Sequence, residues 1–197
     1  MISLDAATHT YSDGTDRKWV SVSKVIDAVM KKSFEGVDPD VLANAAERGI
    51  RVERYATEIL TTGGCSLPVG ERKDVSDRVE AFYDWYQKTS PLLLAAQEIV
   101  SSEADGVAGS LDFLLSVSER RTLTDLKCTA SPEKSWALQV GAYATYCPQA
   151  QDCGILHLNP KYKNGWIWRP YDPLIVKSQW ASALNWYRTL QSLKAEE

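Results

Sequence analysis

The feature that most limits how this chain can fold is a change of periodicity at Pro91. Before it, apolar residues recur at helical spacing. After it come short apolar runs, Ala96 to Ser102, Val107 to Val117 and Thr122 to Thr129. Their breaks, Glu103-Ala104-Asp105-Gly106 and Ser118-Glu119-Arg120-Arg121, are short enough to close hairpins. Ser131-Pro132 then opens a helix running to about Tyr146. Gly154–Leu158 and Gly165–Pro170 read as two more strands, and a helix follows from Pro173 with Ile175, Trp180, Leu184, Trp186, Tyr187 and Leu190 inward. Helices, a three-strand meander, a helix, two strands and a helix describe an α/β (α+β) chain around a mixed sheet.

The N-terminal ninety residues are expected to be mainly helical. His9-Thr10-Tyr11 and Lys18-Trp19-Val20 could flank the Ser12-Asp13-Gly14 turn as a hairpin. Ser21 or Ser23 suits the N-cap of a helix carrying Val25, Ile26, Val29 and Met30 and ending at Lys31-Lys32. Asp38-Pro39 starts a second helix, which runs to about Leu60 and ends at Thr61-Thr62-Gly63-Gly64. On one side it carries Ala46, Gly49, Glu53 and Ala56, small enough for close packing. Glu53 is foreign to such a face, and the structural alternative is an edge position paired with Arg51 or Arg54. Glu71 to Lys88 reads as a third helix.

At 197 residues the chain is expected to form one domain, 1–90 helical and 91–197 a core of sheet and helices. No apolar run reaches the roughly 18 residues of a membrane span, and the first residues lack a secretory pattern, so a cytoplasmic location is expected. Cys65, Cys128, Cys147 and Cys153 show no zinc-type spacing and read as reduced thiols. The net charge of −4 argues against binding nucleic acid by bulk positive charge, but not against an enzyme whose carboxylates hold metal ions.

Two acidic residues stand inside the apolar runs. Asp112 precedes Phe113-Leu114-Leu115. In the next run Asp125 and Lys127, two apart, project from one face with Leu123, while Thr124, Leu126 and Cys128 take the other. A hairpin would bring Asp112 beside Asp125. Burying such a group is costly unless each charge is paired or a cation intervenes. Mg²⁺ suits it, since that ion is often held by one or two carboxylates, water and substrate phosphate. Asp112, Asp125 and the Leu126 carbonyl are candidate ligands, and Lys127 could orient water or stabilise phosphate charge. On the following helix Gln139 and Tyr143 share a face one turn beyond Trp136. They could contact a phosphate and a nucleic-acid backbone, or simply cap a sheet edge and fill core.

This ordered set, Gly109-Ser110-Leu111-Asp112, Asp125-x-Lys127 and Gln139-x-x-x-Tyr143, resembles the PD-(D/E)xK nuclease superfamily, in its RecB-type and phage exonuclease branch. His9-Thr10-Tyr11, Ser21-Val22-Ser23-Lys24-Val25 and Glu47-Arg48-Gly49 extend the resemblance. It implies a restriction-endonuclease-like core and a Mg²⁺- or Mn²⁺-dependent deoxyribonuclease, an exonuclease of phage or prophage recombination or repair. A structure-specific endonuclease and a non-catalytic nucleic-acid-binding protein are the alternatives. The resemblance makes Glu53, where relatives carry His, and Glu98 further metal candidates, with Glu103 competing with Glu98. It implies DNA as partner and a separate annealing or single-strand-binding protein. Arg48, Arg51, Lys24, Lys161 and Lys163 are candidate backbone contacts, and Trp136, Trp166 and Trp168 candidate stacking surfaces, with core packing the alternative for at least two of the three.

Overall fold

A computed structural model describes residues 2–5, 8, 10–15, 17–30 and 36–195. His9 and the Lys31-Lys32 helix end lie outside the described residues. The N-terminal segment forms β1 (Ser3–Asp5), β2 (Thr10–Ser12), β3 (Val20–Ser21) and α1 (Val22–Met30). The helical part continues with α2 (Pro39–Thr62) and α3 (Lys73–Thr89). Five strands follow: β4 (Leu92–Ala96), β5 (Ile99–Ser102), β6 (Val107–Ser110), β7 (Phe113–Val117) and β8 (Arg120–Lys127). The chain ends with α4 (Ser135–Tyr146), β9 (Asp152–Leu158), β10 (Trp166–Tyr171) and α5 (Pro173–Ala195). A mixed five-stranded sheet, ordered β10-β9-β8-β7-β4, stands beside a three-stranded sheet, β3-β6-β5, and the hairpin β1-β2. This is the expected mixed α/β architecture, consistent with a restriction-endonuclease-like fold.

The expected helix signals act as local chemistry requires. Ser21 Oγ accepts the Lys24 amide at 3.1 Å, which makes Ser21 the cap of α1. Asp38 accepts the Asp40 amide at 2.8 Å ahead of Pro39, and Gly63 ends α2 at φ 85° with its N–H on the Ile59 carbonyl. α3 starts two residues late because Glu71 is held elsewhere, accepting from Arg51 at 2.6 Å and Tyr55 at 2.8 Å. α4 starts at Ser135, four residues late.

The hairpin of residues 9–20 is not formed as expected. β2 pairs with β1, and β3 instead lies parallel to β6, with Val20 opposite Val107. The small-residue face of α2 packs closely only at its far end: Ala56 is buried against the α3 layer, whereas Ala46 is exposed and Gly49 has open space where a side chain would stand. On α5, Trp180, Leu184 and Tyr187 are buried, but Ile175 and Trp186 point outward.

The largest departure concerns the meander. Neither Ala96–Ser102 nor Val107–Val117 is one strand. β4 and β5, and β6 and β7, are the arms of a single long antiparallel hairpin bent in the middle. Ala96 faces Phe113 in the large sheet and Ile99 faces Ser110 in the small one. Across the bend the ladder continues, with Gln97 N–H donating to the Asp112 carbonyl at 2.9 Å and Leu111 N–H to that of Glu98 at 3.0 Å. Gln97 takes φ 51°, the left-handed conformation that turns the arm. β7 joins β8 through Ser118 and Glu119, both at positive φ as a tight hairpin turn needs. α4 crosses over to bring β9 parallel to β8.

Two apolar layers sandwich the large sheet. Leu114, Leu123 and Ile155 pack with α1, α4 and α5 residues such as Val22, Val140 and Trp180. Phe113, Leu115, Leu126 and Leu156 pack with Val52, Ile59, Val75 and Phe82 of α2 and α3. The period-two alternation of β7 and β8 thus feeds both faces.

Candidate active site

β7 and β8 pair with Phe113 opposite Thr124 and Leu114 opposite Leu123, so Asp112 and Asp125 fall on one face at the bend. Asp112 Oδ2 accepts the Leu126 amide at 2.7 Å, which ties the bend to β8. The Lys127 ammonium lies 2.6 Å from Asp125 Oδ2. Asp125 is wholly buried; its Oδ2 has the Lys127 ammonium as partner, and its Oδ1 is buried without a hydrogen-bond partner.

Glu53 of α2 and Gln97 meet across the cleft, with Gln97 Nε2 donating to Glu53 Oε1 at 3.1 Å. The structural alternative for Glu53, pairing with Arg51 or Arg54, is not what forms: Arg51 engages Glu71 and Glu47 instead. From α4, Gln139 donates to the Tyr143 hydroxyl at 3.2 Å. A cleft of about 470 Å³ takes in Glu53, Gln97, Asp112, Gln139 and Tyr143, with Ser21 and Ser23 at the start of α1. Gly109 lets this wall close up: a Cβ there would stand 2.8 Å from both the Tyr143 ring and Val22 Cγ2.

The charges are mutually perturbed. Burial raises the Asp112 carboxyl well above the usual carboxylate range, and the Asp125 charge raises it further, against the pull of Lys127. Asp125 is raised by burial and Glu53 by burial, the latter opposed by the Gln97 hydrogen bond. Burial opposes the charge on Lys127, yet Asp125 and Asp112 hold its pKa above the ordinary lysine value. Burial and the two aspartates keep the Tyr143 phenol protonated. Three carboxylates around one ammonium leave an excess of negative charge in a poorly hydrated place, the condition a divalent cation relieves.

Among the described residues no group of three or more His, Cys, Asp or Glu is arranged to hold a metal ion by itself. A cation here would complete its shell with backbone carbonyl, water or substrate oxygen, as Mg²⁺ commonly does. The donor set, two aspartates with an unsatisfied buried oxygen, fits a hard ion of that kind.

Other candidates lie apart. Glu98 is exposed and lines a different depression with Leu94, Leu114 and Arg121, because the bend turns it away from Asp112. Glu103 sits at the far end of the small sheet beside Arg17. Trp136 is core, 2% exposed and edge-on to His157 at 4.9 Å, so it offers no stacking surface. Arg48 spans Asp74 and the Cys128 carbonyl, both at 3.3 Å. Lys24 is exposed on α1, and Lys161 and Lys163 are exposed ahead of β10. Trp166 is tied to α3 by a 2.7 Å bond from Nε1 to Asp84, and Trp168 packs with the α2–α3 layer. Gln97 is the site residue that sequence reasoning missed. Its only signal was a polar residue interrupting an apolar run.

No family model matches the chain, and no curated protein matches it. Among solved structures, the chain is similar to an alkaline exonuclease, LHK-Exo, from Laribacter hongkongensis. The identity is 16%, over 90% of this chain and 89% of that one, with a TM-score of 0.49. LHK-Exo in complex with dAMP gives the same identity and coverage and a TM-score of 0.47. Likeness at that level concerns the course of the chain and assigns no chemistry.

Proposed function

We propose that this chain is a metal-dependent nuclease that hydrolyses DNA phosphodiester bonds, working from ends as an exonuclease. The observation that carries the reading is the convergence of Asp112, Asp125 and Lys127 at the hairpin bend, with Asp125 Oδ2 on the Lys127 ammonium and Asp125 Oδ1 buried and lacking a hydrogen-bond partner. Asp112 and Asp125, with the Leu126 carbonyl, would hold Mg²⁺ or Mn²⁺, and Glu53, which lines the same cleft as Asp112, is the further candidate ligand. The chemistry such an ion supplies is polarisation of the phosphate and activation of a water.

The chain's own groups have separable parts. Lys127, held charged by its carboxylates, places a fixed cation where phosphate charge develops. Asp112 fixes β8 through the Leu126 amide. Gln139 holds the Tyr143 hydroxyl at the cleft wall, where both present hydrogen-bonding groups to a sugar-phosphate backbone. The first turn of α1 lines the same cleft, and a helix N-terminus favours an anion.

The order of Asp112, Asp125-x-Lys127 and Gln139-x-x-x-Tyr143 supports a role in phage or prophage recombination or repair, with DNA as partner. The test is digestion of linear duplex, closed circular and single-stranded DNA with Mg²⁺ and then EDTA. We expect loss of linear DNA that EDTA stops. Nicking of closed circles would instead assign an endonuclease, and no cleavage of any substrate with Mg²⁺ or Mn²⁺ would leave only a binding protein.

A further inference from the structure

The sheet has a second chamber on the face away from the acids. Neighbouring residues in a strand point to opposite faces, so Thr124 looks away from the side that Asp125 serves. There a cavity of about 480 Å³ opens between β8, β9, β10 and the C-terminal end of α3. Trp85, Trp166, Trp168 and Tyr171 line it, and most of its surface is apolar. The Trp166 ring is fixed by its bond to Asp84, and Lys88 lies over its ring, 5.8 Å from the centroid. Trp168 lies against Gly154, where a Cβ would come within 2.6 Å of its ring, so the strand is bare to admit the indole.

Two further facts define what this chamber accepts. Thr124 is fully buried, lines the cavity and has a hydroxyl with no hydrogen-bond partner. A buried hydroxyl left unsatisfied is costly, so an occupant that brings a polar atom to it is favoured over one that does not. At the mouth Arg120 is already paired with Asp152, its NH2 donating to Oδ1 at 2.7 Å. An anionic occupant would have to break that pair. Size, indole lining, one waiting hydroxyl and a neutralised rim together resemble a small-molecule site with few polar anchors.

We infer that this chamber binds a neutral, planar aromatic heterocycle of nucleoside size, set among the tryptophans with a polar ring atom on the Thr124 hydroxyl. The inference does not depend on the nuclease reading, since the chamber shares none of the acidic residues.

Adenosine is the probe, titrated into the full chain in EDTA and followed by tryptophan fluorescence and calorimetry. Saturable binding is expected, weaker by about 5-fold in Thr124→Val, which removes the hydroxyl at nearly constant shape. AMP should bind less well than adenosine, and decanoate should not compete. Should Thr124→Val fail to fold by circular dichroism, Val117→Trp, which fills the mouth, takes its place and should abolish binding. The proposal is overturned by absence of saturation into the millimolar range, by equal affinity in the folded variants, or by AMP or decanoate binding more tightly than adenosine.

Discussion

Asp112 has two duties that pull against each other. Its Oδ2 anchors the Leu126 amide, and its charge stands in a buried place beside Asp125. With a raised pKa, the folded state binds more protons than the unfolded chain above about pH 3.9, so this group lowers stability as pH rises through that window. Asp112→Asn should therefore stabilise the cation-free protein by about 1 kcal/mol while reducing cleavage about 100-fold or more. Urea denaturation in EDTA and a cleavage assay check both halves, and a less stable variant would contradict the electrostatic account. Asp125→Ala and Lys127→Ala should each reduce turnover about 100-fold with the fold intact by circular dichroism. Wild-type turnover in Asp125→Ala would remove the site. Gln97→Gly keeps the left-handed backbone but loses the donor to Glu53. It should weaken Mn²⁺ binding in calorimetry by about 10-fold, as loss of an outer hydrogen bond does. Glu53→Gln in the same titration tests Glu53 itself, and unchanged affinity would exclude it as a ligand.

Among the elements, β8 and α4 were legible because each follows one local rule. Alternation put Asp125 and Lys127 on one face, and the four-residue step put Gln139 beside Tyr143. The bend at Gln97 was not legible. Nothing in Ala96–Ser102 marks a left-handed residue that is not glycine, and two short strands in different sheets look like one longer strand. Glu98 was misplaced for that reason, since the bend reverses which of Gln97 and Glu98 meets the acids. For Trp136 the structure takes the core alternative over the stacking one, which spacing on a helix could not decide because it does not say which side is covered. A further device holds the loop after β8: His157 contacts the Tyr162 hydroxyl and the Thr129 carbonyl, both at 2.8 Å. Burial lowers its pKa, so the unfolded chain takes up the proton first as pH falls. The stability it contributes is present above about pH 6.5 and lost as pH falls through the lowered folded value. The difference in denaturant midpoint between wild type and His157→Gln, followed from pH 8 to 5, isolates this loss from the opposite contribution of the buried acids, and a difference that does not change with pH would exclude it.

For the molecule as a whole, an acidic chain is expected to meet DNA through a local arrangement and not through its net charge of −4. Retention of DNA should then fall sharply in EDTA, and a gel-shift titration with and without Ca²⁺ measures it. Binding of Mg²⁺ to the folded state alone should raise the thermal midpoint by several degrees at 100-fold excess over Kd, about 2.7 kcal/mol by mass action. Scanning fluorimetry of wild type against Asp125→Ala isolates the part due to this site. Among the described residues no helix is long and apolar enough to cross a membrane, as the sequence anticipated.

The tight turn at Ser118 and Glu119 sets the count of residues from which both acids are placed. One extra residue inserted into β7 would swing Asp112 to the opposite surface while Asp125 stayed put. Two extra residues would restore the face but carry Asp112 about 7 Å along the strand from Asp125, so the length of this arm is fixed by the pair of acids it has to bring together.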